Sequence, residues 1–320
     1  MKIVLAGGTG QVGRLLARAF TASGDDVVIL TRDPTKPVPH GRPVDWNGEN
    51  LGPWATEIDG ADVVVGLAGR SVNCRYNATN RSAIKASRQR SVRAIGAAIQ
   101  SASRPPSVWL QASTATIYRH TYGPANDELT GVIGGNETDA PDTWNFSIDV
   151  ATSWERELDS LGDLPGTRTV LLRSAMTMSP DRAGVFDTLR RLVRLGLGGT
   201  IGDGRQYVSW IHEADFVASL RWIIAHQQLS GAVNIASPHP VPNREFMQSL
   251  RAAEGIPFGL PAFGIILETG AWLMQTESEL ILKSRRVVPT RLVESGFRFQ
   301  FPNWPEAAND LCERSREKNQ

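Results

Sequence analysis

Lysine, cysteine and tyrosine are scarce in this chain of 320 residues, and long apolar runs are missing. The two cysteines, Cys74 and Cys312, lie far apart and lack metal-ligand spacing. The expectation is two free thiols in a reducing compartment, and no metal site. The most apolar late stretch, Leu260 to Met274, is interrupted by Glu268 and is too short to span a bilayer. It reads as a buried or dimer-facing helix, which leaves a homodimer open. No signal peptide precedes the first apolar run, since Lys2 leads straight into it, so a cytoplasmic protein is expected. An excess of either charge is lacking too. Thirty-four basic residues face 33 acidic ones for a net charge of +1, which points away from nucleic acid and from anionic membrane surfaces. Only five of the basic residues are lysines: Lys2, Lys36, Lys85, Lys283 and Lys318. There is no internal repeat and no low-complexity segment.

What is present is enough apolar residue, 41% against 21% charged, to bury a substantial core. The organising stretch is Met1 to Arg14, MKIVLAGGTGQVGR. Lys2 to Ala6 is a short run of strand type. It breaks into Gly7, Gly8, Gly10 and Gly13, and a helical pattern follows through Leu15, Leu16, Ala19 and Phe20. A strand, a glycine-rich turn and a helix in this order form the context of a dinucleotide fingerprint. Such glycines let the backbone turn tightly, approach a pyrophosphate and pack helix against strand. The helix start then offers unpaired N–H groups and a positive dipole end to the phosphates.

A second buried strand, Asp26 to Arg32, carries Thr31 and Arg32 at its tip, where NAD-binding versions of this pattern have an acid for the ribose 2′-hydroxyl. A guanidinium there pairs with a 2′-phosphate, so NADP(H) is favoured over NAD(H). Asp33, one residue on, keeps the other cofactor open. A loop-rich span with five prolines runs from Pro34 to Gly60, with one short strand at Val44 to Trp46. Further strands are read at Ala61 to Gly69, Ser107 to Ala112, Arg168 to Arg173 and Gly231 to Ala236. Helices are read at Asn80 to Ser101, Phe146 to Leu161, Glu213 to His226, Asn243 to Ala253, Pro261 to Met274 and Pro289 to Gly296. Residues 119–145 are too long for a plain connection and read as a functional loop. The alternation predicts an α/β fold, a Rossmann-type doubly wound parallel sheet with a smaller C-terminal substrate lobe. Residues 1–175 would be the NADP-binding domain, with a return to the sheet near 200–236. Residues 176–320 would be the substrate lobe and C-terminal helical domain, ending in a disordered tail from Arg314 to Gln320.

Gly7-Gly8-Thr9-Gly10-Gln11-Val12-Gly13 resembles the nucleotide loop of extended short-chain dehydrogenases/reductases. Leu67-Ala68-Gly69, Arg75-Tyr76, Ser87-Arg88, Arg194 to Gly199, Gly202 to Gln206 and Ser209 to His212 narrow the likeness. Together with Ser284 to Pro289 and Ser295 to Phe299 they are similar to the atypical NADP-binding "epimerase family protein" group, from about residue 1 to about 312. The resemblance implies a Rossmann-type fold, NADP(H), and a small-molecule substrate of sugar-nucleotide-like class. Gln11 stands where that group has a large apolar residue, Gly66 where it has Asn and Arg70 where it has Glu, so the cleft lining differs. The candidate cofactor residues are Gly7, Gly10, Gln11, Val12, Gly13, Thr31, Arg32, Leu67, Ala68, Gly69, Arg88 and Thr177.

Enzymes of this superfamily pair a Ser or Thr with a Tyr and a Lys four residues later, on one helix face. The lysine lowers the tyrosine pKa, and the tyrosine exchanges a proton with the substrate oxygen while hydride moves. Four residues after Tyr76, Tyr118, Tyr122 and Tyr207 come Asn80, Tyr122, Asn126 and Ile211. Aligning Trp154-Glu155 with the corresponding helix puts Ser147 and Ala151 at the Tyr and Lys positions. The pair is therefore absent, as is typical of the group. Ser113, Thr114 and Tyr118 remain as candidate catalytic hydroxyls, with capping and packing as their other reading. His212 and Asp215 read as a structural hinge. The basic helix from Ala183 to Gly199 would suit a diphosphate or carboxylate, or be a solvated face. Two functions stay open: an NADP(H)-dependent oxidoreductase or epimerase-like enzyme with an atypical site, and a non-catalytic NADP(H) sensor or scaffold.

Overall fold

The computed structural model describes residues 1–137, 141–182, 184–261 and 282–318. In chain order the elements are β1 (Lys2–Ala6), α1 (Gln11–Ala22), β2 (Asp26–Thr31), β3 (Arg42–Asp45), β4 (Val63–Gly66), α2 (Ala78–Ser101), β5 (Val108–Thr114), α3 (Asp142–Asp159), β6 (Arg168–Ser174) and β7 (Met176–Met178). There follow α4 (Val185–Arg194), β8 (Tyr207–Val208), β9 (Trp210–His212), α5 (Glu213–Ala225), β10 (Gly231–Ile235), β11 (Val241–Pro242), α6 (Asn243–Glu254), α7 (Thr290–Glu294) and α8 (Trp304–Glu317).

Seven strands form one parallel sheet in the order β10-β6-β5-β4-β1-β2-β3. The central strands are buried on both faces, which is why β1 reads as an unbroken apolar run rather than an alternation. On one face Leu15, Leu16 and Phe20 of α1 pack with Phe216, Leu220 and Ile223 of α5. On the other, Val92, Ile95 and Ile99 of α2 meet Trp154 and Leu158 of α3. A third core, with Phe186, Trp210, Phe246, Trp304 and Leu311, holds α4, α6 and α8 together beside the sheet. Strand order reverses between β4 and β1, the switch point at whose carboxyl end such sheets bind ligands.

Several expectations are corrected. The third strand is Arg42–Asp45, with Trp46 just beyond it, and α3 begins at Asp142 instead of Phe146. The tail read as disordered continues α8 through Glu317, because Arg314 is paired to Glu213 and Asp310, and Lys318 to Asp181. The apolar stretch to Met274 lies outside the described residues from position 262 on. Among the described residues, no helix is long and apolar enough to cross a membrane.

Candidate functional site

The glycine turn between β1 and α1 divides its work among three positions. Gly7 has φ +86°, and a Cβ on it would lie 2.8 Å from the Ala68 Cα. Gly13 could not take a Cβ either, since it would sit 2.4 Å from Gly8 Cα and Gly8 O, so α1 packs directly on the turn. Gly10 differs. The nearest atom to its missing Cβ is Gly7 O at 3.9 Å, leaving open space at the helix start. That is the cradle a pyrophosphate requires, with the first N–H groups of α1 behind it.

The cradle opens into a cavity of about 1480 Å³, which runs along the carboxyl ends of β1, β2 and β4. Gly7, Gly10, Thr31, Arg32, Leu67, Ala68 and Gly69 line it, seven of the residues expected to meet a cofactor. Val12 and Gly13 instead pack into the core and against Gly8. The Gln11 side chain abuts Gly184 at the start of α4, where a Cβ would lie 2.4 Å from its Nε2. Arg88 is turned away from the cavity lining: Nη1 donates to the carbonyls of Arg70 and Ile84, and its guanidinium lies over the Trp154 ring. Burial pulls its pKa down to about 10. Thr177 pairs with Ile211 between β7 and β9, outside the lining.

Charge in the cavity is sorted by pairing. Asp33 accepts from the Thr35 hydroxyl at 2.6 Å and faces the Lys36 ammonium at 3.1 Å. These contacts hold its carboxyl below the usual range and tie it to its own loop. Arg32 is exposed at the rim and has no hydrogen bond or ion pair among the described residues. Arg14 donates to Thr9 O at 2.7 Å, across the glycine turn. Arg18 is held by Asp181 and Glu213. Arg14, Arg18 and Asp181 line the cavity but escaped the sequence reading, since a charge on a helix or in a connection carries no local sign of what it faces.

A second polar group lies at the carboxyl ends of β5 and β6. Ser113 is buried and donates its hydroxyl to Glu155 Oε1 at 2.5 Å. Both oxygens of Glu155 are gripped by Arg173, at 2.9 and 2.7 Å. Arg173 also donates to the Tyr118 hydroxyl at 3.0 Å, and that hydroxyl donates to Asn234 Oδ1 at 3.0 Å. Burial raises the Tyr118 pKa, against the lowering influence of Arg173. Tyr118 is thus a 1% exposed member of a closed network, in place of the cleft-facing residue expected. Thr114 differs from both. Its Oγ1 accepts from Thr116 N–H at 3.1 Å, and the side chain is half-buried. Of the three candidate hydroxyls, it is the one whose own proton has no acceptor among the described residues. Glu155, Arg173 and Asn234 were not readable as a set, being brought to Ser113 and Tyr118 across 42 to 116 residues.

The basic helix α4 does not supply a phosphate clamp. Arg190 and Arg194 both pair with Glu254, and Arg191 pairs with Asp187 one turn back. Among the described residues no group of acids, cysteines and histidines could hold a metal.

The sequence pattern of the NAD dependent epimerase/dehydratase family matches residues 3–236, and that of a domain of unknown function matches 261–311. An epimerase family protein of Staphylococcus saprophyticus is 30% identical over 311 residues, covering 96% of this chain and 98% of its own. The human epimerase family protein SDR39U1, solved with NADPH, superposes with a TM-score of 0.82 at 26% identity, covering 98% and 99% of the two chains. A nucleoside-diphosphate sugar epimerase of Corynebacterium glutamicum gives a TM-score of 0.71 at 25% identity, over 99% of this chain and 61% of that longer one.

Proposed function

The chain belongs to the NAD dependent epimerase/dehydratase family, and from that premise we propose that it is an NADP(H)-binding, epimerase-like oxidoreductase with an atypical acid/base site. The observation that carries the reading is that the open position at Gly10 shares one cavity with the exposed Arg32, which has no hydrogen bond or ion pair among the described residues. The residues fit the dinucleotide: a Cβ-free cradle for the pyrophosphate, small residues at Ala68 and Gly69, and a guanidinium for the 2′-phosphate. The human relative solved with NADPH supports the phosphorylated form, as does the engagement of Asp33 with its own loop. When bound, the nicotinamide supplies hydride chemistry.

The protein's own part at the reacting end falls to Thr114. Its oxygen is polarised by the Thr116 N–H, and its proton is available to a substrate carbonyl or alkoxide oxygen. Ser113 and Tyr118 hold the strand end through Glu155, Arg173 and Asn234 and are positioning residues. The substrate class, a sugar nucleotide or similar polar molecule, follows the nucleoside-diphosphate sugar epimerase likeness.

Titration with NADPH and NADH tests the cofactor reading. Arg32→Ala should weaken NADPH by about tenfold to a hundredfold, the worth of a hydrogen bond to a charged group, and leave NADH unchanged. Equal loss for both cofactors would refute the 2′-phosphate role. A non-catalytic sensor is the second reading, favoured by the closed network that absorbs the Ser113 and Tyr118 protons. Hydride transfer from NADPH to any member of a carbonyl panel, lost in Thr114→Val with NADPH affinity intact, would exclude it.

A further inference from the structure

Arg32 and Asp33 stand side by side just beyond β2, and they favour opposite cofactors. A guanidinium pairs with a 2′-phosphate, whereas a carboxylate repels it and accepts from a free 2′-hydroxyl. Both residues line the cavity. The carboxylate is held by its own loop in a particular way. Asp33 opens a tight turn, in which Lys36 N–H donates to Asp33 O at 3.4 Å. Pro34 takes the second position, where its fixed φ favours such a turn. Pro37 follows Lys36 and biases it to extended backbone. The turn thereby returns two side chains onto Asp33, one for each oxygen. The Thr35 hydroxyl donates to Oδ1 at 2.6 Å, and the Lys36 ammonium lies 3.1 Å from Oδ2.

The two partners do different things. Thr35 supplies a hydrogen bond without charge, so Asp33 stays an anion towards anything that approaches. Lys36 covers the oxygen that Thr35 leaves open and neutralises it. Lys36 lines the same cavity as Arg32 and Asp33. Other cations on the cavity wall are committed elsewhere: Arg14 to Thr9 O, Arg18 to Asp181 and Glu213, and Arg90 to Glu49. With Lys36 in place, an incoming 2′-phosphate meets Arg32 and a neutral pair. Without it, the phosphate meets Arg32 and an anion one residue away, and Oδ2 can accept from a ribose hydroxyl. The Lys36 side chain is 79% exposed, so the pair adds little to stability and its loss does not threaten the fold.

We infer that Lys36 sets the cofactor preference by masking Asp33, which would otherwise favour the unphosphorylated dinucleotide. Lys36 is then a positioning residue: it acts through Asp33 and does not itself hold the phosphate. The inference rests on the NADP(H) reading and deepens it. Arg32 supplies the attraction for the 2′-phosphate, and Lys36 removes the repulsion beside it.

The test measures NADPH and NADH dissociation constants on the full chain at low ionic strength, where an exposed ion pair is least screened. Lys36→Met should weaken NADPH by about threefold to tenfold, the scale of one charge uncovered a few ångströms from another in water. It should tighten NADH by about threefold or more, since Oδ2 becomes an acceptor for the 2′-hydroxyl. Lys36→Arg keeps the ion pair and should keep the parent preference. In an Asp33→Asn background there is no charge left to mask, so adding Lys36→Met should change neither constant by more than about twofold. A merely structural role for Lys36 would move both cofactors together. The inference is overturned if Lys36→Met leaves the NADPH-to-NADH ratio within about twofold of the parent. It is overturned too if Lys36→Met weakens NADPH equally with and without Asp33, which would put the ammonium on the phosphate itself. In either case an Arg32→Ala variant that loses NADPH alone leaves the cofactor reading standing. A parent that binds neither dinucleotide defeats both.

Discussion

Gly10 and Gly13 are three residues apart, yet the physics of replacing them is opposite. A methyl at Gly13 meets backbone, Gly8 Cα and Gly8 O at 2.4 Å, which cannot rotate out of the way. Gly13→Ala should therefore cost about 1–3 kcal/mol of stability as an overpacked contact, with a lowered thermal midpoint. A methyl at Gly10 meets nothing closer than 3.9 Å. Gly10→Ala should unfold at the parent temperature and lose NADPH affinity, because the methyl occupies the cradle. Thermal unfolding and NADPH titration on both variants check the pair, and a destabilised Gly10→Ala would contradict it. The glycine spacing was legible because it is local and its flanks are a strand and a helix. Which hydroxyl keeps a free proton was not. Ser113 and Tyr118 spend theirs on Glu155 and Asn234, 42 and 116 residues away, and no spacing rule encodes such partners.

The element that departs most from expectation is α8. Its last residues fall in the stretch from Arg314 to Gln320 that reads from sequence as a disordered tail. Two features override that reading. Trp304, Ala307, Ala308, Leu311 and Cys312 form a buried stripe on the third core, and the charges beyond it have fixed partners. Arg314 pairs with Glu213, whose side chain is 3% exposed and whose other oxygen accepts from Ser179 and faces Arg18. Removing Arg314 leaves a buried carboxylate short of a donor, so Arg314→Ala should cost about 1.5–3 kcal/mol, the range for hydrogen bonds to charged groups. Urea unfolding measures it, and a loss under 0.5 kcal/mol would return α8 to the status of a loosely attached end. Helix α4 teaches the converse. Its arginines read from sequence as either a ligand clamp or a solvated face, and Glu254 and Asp187 neutralise them. The sequence marks a basic helix; only packing decides whether its charges are available.

At the scale of the whole molecule, the alternation of strand and helix was enough to foresee a parallel sheet and the return of Gly231–Ile235 to its edge. The joint between sheet and second lobe was foreseen only as a structural role for His212, and it makes stability depend on pH. His212 is fully buried. Its Nδ1 accepts from Ala214 N–H at the start of α5, its Nε2 lies 3.0 Å from Asp310, and its ring rests on Phe301. Burial lowers its pKa from 6.5, while Asp310 and Glu213 push the other way and Arg314 adds to the lowering. The folded protein therefore resists taking up a proton that the unfolded chain accepts readily. The contribution of His212 to stability is complete above about pH 6.5 and is lost progressively as the pH falls below that, until the folded imidazole also protonates. His212→Asn keeps a capping acceptor for α5 and removes the titrating group. Its unfolding free energy should vary less between pH 6.5 and 5 than that of the parent. Neighbouring Asp215, raised by burial and held by the Gln300 and Phe301 amides, is common to both proteins and largely drops out of the difference. Parallel slopes for parent and variant over that interval would mean that the joint between the lobes stays shut whether or not His212 carries charge.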